Sequence, residues 1–434
     1  MARAEHRLAQ ESEGRFSAFI DRIVGVIEKG RDILFDYCTG LCLDADGRKS
    51  MEPIAAKTDP ENVSRQHQAI QHFISKSAWD DEAVLSEVRT YALPAITKHA
   101  PINAWIIDDT GMPKKGEHSV GVAHQYCGQL GKQANCQVAV TLSVANDHAS
   151  LPIAYRLYLP EEWTKDRERC RDAGVPDNIS FETKPQIALK QVRAALDAGI
   201  PRGICIADAG YGNNSAFRDQ LTDWGVPYAM AVQGTTAVWE PGSAPVKPKS
   251  WSGFGRKPQN LRRDEKHQPI AVKQLAMALP KKSYRMVKWR EGTKETLCSR
   301  FAAVRVRAAH GETDHQREEE WLLIDWPPDK EEPESYWLLT LPRSATMKKL
   351  VQAIKGRWRV ERDFQELKSE FGLNHFEGRG WRGFHHHATL CIATYAFLAA
   401  ERAAFSPSGS IPVAESSIPR DYRRRRASHH RSKA

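Results

Sequence analysis

Three acidic residues are placed along this chain in a way that few folds explain. Asp109 closes a segment that begins with the apolar run Ala104-Trp105-Ile106-Ile107, and Asp208 closes another, Gly203-Ile204-Cys205-Ile206-Ala207. Glu361 lies inside a helical pattern, Arg357-Trp358-Arg359-Val360-Glu361-Arg362-Asp363-Phe364. A short buried strand that ends in Asp delivers a carboxylate to the rim of a sheet. Two such strands and one helical Glu can converge on a single point. Converging carboxylates repel: at an effective dielectric near 20, each pair at ~4 Å costs about 4 kcal/mol. A cation between them removes that cost. Mg²⁺ is the natural choice, a hard ion that takes oxygen ligands and keeps positions open for phosphate oxygens.

Length and charge narrow the setting. At 434 residues the chain has material for two or three domains. With 41% hydrophobic and 27% charged residues it reads as a soluble globular protein. A formal net charge of +9 favours a polyanionic partner. None of the eight cysteines forms a Cys-x2-Cys pair, and Cys205 and Cys391 sit in apolar runs. Reduced thiols and a cytoplasmic location are therefore expected. The polar N-terminus leads into no signal-type apolar segment, and no stretch is expected to reach the ~18 apolar residues of a membrane span.

Residues 1–100 read as an N-terminal helical domain able to touch DNA. Phe16, Phe19, Ile20, Ile23, Val24 and Ile27 recur at helical spacing, and Arg48, Lys49, Lys57, Arg65 and Lys76 are interspersed. From residue 101 the texture changes. Strand patterns at 104–109, 137–145 and 151–159 precede a helix at 185–198, a strand at 203–208, a helix near 214–224 and a strand at 227–232. This β-β-β-α-β-α-β order is that of an α/β, RNase H-like mixed sheet with flanking helices. Residues 101–235 would form its first part. Residues 236–333 read as a β-rich insertion subdomain. Residues 334–405 would complete the core with a strand at 336–341 and one long helix at about 345–371. The segment 406–434, with Arg423-Arg424-Arg425-Arg426, reads as a disordered basic tail.

On that long helix Arg357, Glu361 and Lys368 project at roughly 0°, 40° and 20° for about 100° per residue, so all three share one face. A carboxylate flanked by two cations suits a metal ligand beside phosphate-binding groups. The bland alternative is a solvated face with an i,i+4 ion pair. The spacing Arg357-x3-Glu361-x6-Lys368 resembles the Tyr-x2-Arg-x3-Glu-x6-Lys signature of bacterial insertion-sequence transposases with a DDE active site, with Ile354 where that signature has Tyr. Asp108-Asp109-Thr110-Gly111-Met112-Pro113-Lys114-Lys115-Gly116 resembles the segment carrying the family's first catalytic Asp. Ala207-Asp208-Ala209-Gly210-Tyr211-Gly212 resembles that of the second. The likeness runs over about residues 30–405.

The resemblance implies a transposase that cleaves transposon ends and transfers the 3′ hydroxyls to target DNA by two-metal phosphoryl transfer. It implies Asp109, Asp208 and Glu361 as catalytic ligands of two Mg²⁺ ions, with Mn²⁺ as a substitute. Arg357 and Lys368 would be DNA-binding residues. The partners implied are terminal inverted repeats, target DNA and a second copy of the chain in a homodimer. A membrane is not among them. Strand alternation puts Asp108 and Asp109 on opposite faces, so one must lead. The family pattern, with its ligand directly before Thr, selects Asp109, leaving Asp108 as a strand-end cap. Trp289, Trp321 and Trp337 could stack on a flipped base or pack in the core. His385-His386-His387 point in different directions on a helix and are expected at the surface or facing DNA. The alternatives are a non-catalytic DNA-binding protein derived from a transposase, and a metal-dependent nuclease without strand transfer.

Overall fold

The computed structural model describes residues 2–43, 47–254, 257–258, 260–291, 296–310 and 317–405. The expected basic tail lies outside the described residues. Five helices open the chain: α1 (Ala2–Ile27), α2 (Arg31–Cys42), α3 (Met51–Thr58), α4 (Val63–Ser75) and α5 (Asp81–Thr97). Phe16, Phe19, Ile20 and Ile23 of α1 are buried, as their three- and four-residue spacing requires. Asp80 starts α5 by accepting bonds from the Glu82 and Ala83 amides. One basic residue of this region is no DNA contact. Lys49 is buried and donates to the carbonyls of Leu41 and Glu370.

The sheet begins with β1 (Ala104–Pro113), β2 (Ala123–Cys127), β3 (Lys132–Ala145) and β4 (Ser150–Leu157). Two short helices follow, α6 (Glu161–Lys165) and α7 (Arg167–Asp172), and then α8 (Lys184–Asp197). Thr183 and Gln186 form a reciprocal capping box at the start of α8, with Pro185 in its first turn. Next come β5 (Ile204–Ala207), the single turn α9 (Ala209–Gly212), α10 (Ser215–Asp223) and β6 (Tyr228–Val232). β3 pairs antiparallel with both β4 and β1, whereas β1, β5 and β6 run parallel. The spatial order β4-β3-β1-β5-β6 is the RNase H-like arrangement inferred above. Sequence reading missed β2, which makes a hairpin with the first residues of β3.

The region read as an insertion contains β7 (Ala237–Trp239), β8 (Ile270–Ala271), α11 (Val272–Ala278), β9 (Arg285–Glu291), β10 (Thr296–Ala308) and β11 (Glu320–Trp326). It is joined to the rest by hydrogen bonds. β12 (Ser335–Leu339) lies between β6 and β11 and pairs antiparallel with both, so one continuous sheet crosses from core to insertion.

The helix expected at 345–371 is two, α12 (Met347–Lys355) and α13 (Trp358–Ser369). Gly356 and Arg357 form the joint. The bonds there tighten to three-residue spacing, from Arg359 N–H to Gly356 O (3.3 Å) and from Val360 N–H to Arg357 O (3.2 Å). Glycine's poor helix propensity accounts for the break at this place. The last helix, α14 (Trp381–Phe405), is long and apolar enough by composition to cross a membrane, alone in this among the described residues. That corrects the expectation that no segment comes close. Its side chains from Gly383 to Phe397 are all buried, with α2, α4, α5 and β4 packed around it. A single hydrophobic core thus holds Phe19, Tyr37 and Ile70 together with Ile106, Val140 and Phe397.

Candidate active site

The parallel register of β1 and β5 sets the geometry. Ala104, Trp105 and Ile106 lie opposite Ile204, Cys205 and Ile206. Carried on by two residues, the same register brings Asp108 level with Asp208, and level residues of neighbouring strands face the same way. Close backbone approach fixes the start of β5 and the turn that follows it. A Cβ on Gly203 would stand 2.5 Å from the Ala104 nitrogen, and one on Gly212 would stand 1.8 Å from the Ala231 carbonyl oxygen. Only glycine lets β5 start against β1 and α9 sit on β6.

Arg357 gathers the acidic groups. Its guanidinium reaches Asp108 Oδ1 (3.3 Å) and Asp208 Oδ2 (3.9 Å) through Nη1, and Glu361 Oε1 (3.1 Å) through Nη2. Side-chain exposure rises from 17% at Asp108 through 48% at Asp208 to 57% at Glu361, so the group opens outward from a half-enclosed floor. Burial pushes the Asp108 carboxyl up to about 6, with Arg357 opposing and Asp208 and Asp109 adding to the rise. Burial works against the Arg357 charge. Asp108, Glu361 and Asp208 outweigh it and hold the guanidinium above its ordinary value. Asp208 also caps α9, its Oδ1 accepting from the Gly210 amide at 2.9 Å.

Asp109 is not in this group. It points to the other face of β1, where Lys184 Nζ lies 2.6 Å from its Oδ2 and the Tyr211 hydroxyl donates to its Oδ1. The reason is the alternation of side chains along a strand: α13 packs on one face of the sheet and α8 on the other, and neighbouring residues cannot share a face. The structure therefore brings together Asp108, Asp208, Glu361 and Arg357. Lys368 is close by, half-buried, with Nζ donating to the Gly111 carbonyl (2.9 Å) and its charge disfavoured by burial. It ties α13 to β1 and does not touch the carboxylates.

The donor set is all oxygen and all anionic, which suits a hard divalent ion. Among the described residues no three carboxylate, imidazole or thiol groups stand close enough together to share an ion. The guanidinium holds the three acids as a group. Lys184 and Tyr211 escaped the sequence reading, which weighed Asp108 but set it second to Asp109. Equal strand lengths were the available signal, since four residues precede each Asp in register, Ala104–Ile107 and Ile204–Ala207.

Other expectations are corrected by burial. The three histidines lie in the core. His385 accepts from the Leu157 amide and faces the Trp381 carbonyl. His386 stacks flat on Trp79 between the carbonyls of Ile74 and Trp79. His387 bridges the Tyr37 hydroxyl (2.7 Å) and the Gly372 carbonyl (3.0 Å). Trp289, Trp321 and Trp337 pack against the core. Lys355 Nζ sits 4.5 Å from the centre of the Trp289 ring, and the Trp321 indole donates to the Pro342 carbonyl. The more open indoles are Trp251 and Trp358, and the second adjoins Arg357. Ile354, where the signature has Tyr, is buried.

The family described as DDE superfamily endonuclease matches residues 28–296, more than half of the chain. That span holds Asp108 and Asp208 and ends before Arg357 and Glu361. A curated relative, "Probable transposase for insertion sequence element IS701" from Microchaete diplosiphon, is 28% identical over 233 residues. The alignment covers 54% of this chain and 57% of that protein, so the match spans little more than half the relative's length.

Proposed function

Because this chain belongs to the DDE superfamily endonucleases, we propose that it is an insertion-sequence transposase that cleaves the ends of its element and joins the freed 3′ hydroxyls to target DNA. One observation carries the reading: Asp108 and Asp208, level on adjacent parallel strands, share Arg357 with Glu361 of a helix about 150 residues further on. Such convergence from distant parts of a chain is costly to build and suits a working site.

Asp108, Asp208 and Glu361 would hold Mg²⁺, or Mn²⁺ in its place, and the ions would supply Lewis-acid stabilisation of the phosphoryl oxygens. Asp108, the most enclosed of the three, fixes the floor of the site. Asp208 and Glu361 face outward and set the side from which a phosphodiester approaches. Arg357, whose two terminal guanidinium nitrogens face these acids, is of the type suited to bidentate contact with a phosphate. Lys368 adds a positive charge at the β1 end of the same groove. Asp109, held by Lys184 and Tyr211, supports β1 from behind. The DNA partners would be the terminal repeats and the target, engaged by two copies of the chain.

The test uses purified full-length protein and a labelled fragment carrying the inverted repeats that flank the coding region. In Mg²⁺ the ends should be released and joined to a target plasmid. Asp208→Asn should bind the fragment normally and leave it uncut. Cleavage by the folded variant would remove Asp208 from the chemistry. Nicking without joining by the unaltered protein would make it a nuclease instead.

A further inference from the structure

We propose that Arg357 is the resident counter-ion of the Asp108–Asp208–Glu361 group, so that a divalent cation binds there only by displacing its guanidinium. This rests on the reading of those carboxylates as a metal site, and it gives the Arg a role that a phosphate contact alone does not.

Three features lead to it. First, every partner of Arg357 is an acid of the site: Nη1 faces Asp108 and Asp208, and Nη2 faces Glu361. Among the described residues no backbone carbonyl holds it, in contrast to Arg218, which donates to the Gly212 carbonyl, and Arg300, which donates to the carbonyls of Trp326 and Pro327. Its polar contacts are thus all with negative charge. Neutralising that charge removes every ion pair that keeps it there. Second, the two lysines of this region are engaged elsewhere. Lys368 is committed to the Gly111 carbonyl and Lys184 to Asp109 on the opposite face. Without Arg357 three carboxylates would face one another unpaired. Third, Arg357 sits at the joint between α12 and α13, where the helical ladder is interrupted. A small backbone rotation there re-aims the side chain without unwinding either helix.

A cation in the carboxylate group and a guanidinium on the same oxygens exclude one another by charge. The displaced guanidinium then points to the open side, where a DNA phosphate can receive it. Metal and DNA should therefore each favour the binding of the other, by thermodynamic reciprocity.

The test is Mn²⁺ binding to the full chain without DNA, read by calorimetry and by the electron paramagnetic resonance of free Mn²⁺. Arg357→Gln, which keeps hydrogen-bonding capacity and loses charge, should bind Mn²⁺ at least tenfold more tightly than the unaltered protein. Its melting temperature in chelator should be lower, and Mn²⁺ should raise it more. Arg357→Lys, which keeps the charge, should bind Mn²⁺ like the unaltered protein and secures the comparison if the Gln variant folds poorly. Equal or weaker Mn²⁺ binding by folded Arg357→Gln overturns the proposal. A separate outcome strikes the reading beneath it: if Arg357→Gln with Asp208→Asn still binds Mn²⁺ as tightly as Arg357→Gln alone, the ion is not held by these carboxylates.

Discussion

Asp108 and Asp109 are neighbours with opposite surroundings. Asp108 is enclosed, raised toward neutrality by burial, and faces Arg357. Asp109 has its own lysine and tyrosine. If the register of β1 against β5 decides which acid works, the two Asn variants will differ. Asp108→Asn should lose at least a thousandfold in Mg²⁺-dependent cleavage, as expected when a group that stabilises transition-state charge is removed. Asp109→Asn leaves Lys184 and Tyr211 in place and should stay within about tenfold of normal, the scale of a lost charged hydrogen bond felt indirectly. Single-turnover cleavage of labelled ends measures both. The opposite ranking would restore Asp109 as the ligand. Strand alternation separates the two aspartates, which lie in the middle of β1, without choosing between them, and the family pattern pointed to Asp109. That choice depends on a pairing partner a hundred residues away.

Among elements, the two short pieces around Asp208 are held by their neighbours. β5 has four residues and α9 four, so neither is stable by itself. Contact with β1 and β6 holds them in place. Gly212→Ala puts a methyl group into the Ala231 carbonyl. It should lower stability by about 3 kcal/mol, the upper part of the range for overpacking, and displace Asp208 with α9. A fall in melting temperature together with loss of cleavage is expected, and a normal melting curve would show that α9 has room to move. Elements with a strong period were legible before the structure: the α1 stripe, the capped α8, and the strands that became β3, β4 and β6. The α12–α13 break was not, because a single glycine within a helical pattern weakens the helix without by itself marking an end. Nor was β12 legible as a bridge. Its residues read as a strand of the core, and nothing local says that its second edge pairs with the insertion.

For the whole molecule, the buried polar groups set the response to acid. Burial depresses His385 and His387 to about 4, and each ring is placed to donate one hydrogen bond and accept another, as a neutral imidazole does. Unfolded, they would titrate near 6.5, so between these values the unfolded chain binds more protons. Their contribution is complete above about pH 6.5 and is lost as pH falls toward 4. Asp108 and Asp363, pushed up to about 6 by burial, act with the opposite sign between 3.8 and 6. A difference measurement isolates the imidazole. The urea midpoint should fall with pH less steeply in His387→Gln than in the unaltered protein, and equal slopes would mean that His387 is already protonated in the fold. The histidines were misjudged from sequence because a polar triplet on a helix reads as surface, whereas α14 is enclosed on all sides. That enclosure has a consequence for the chain while it is being made. At about 5–20 residues per second, the ribosome finishes Asp208 roughly eight to thirty seconds before Glu361. The opening helices wait still longer for the helix they wrap. A polypeptide released between Asp208 and Glu361 carries two of the three acids and lacks α14, the helix around which its opening helices pack.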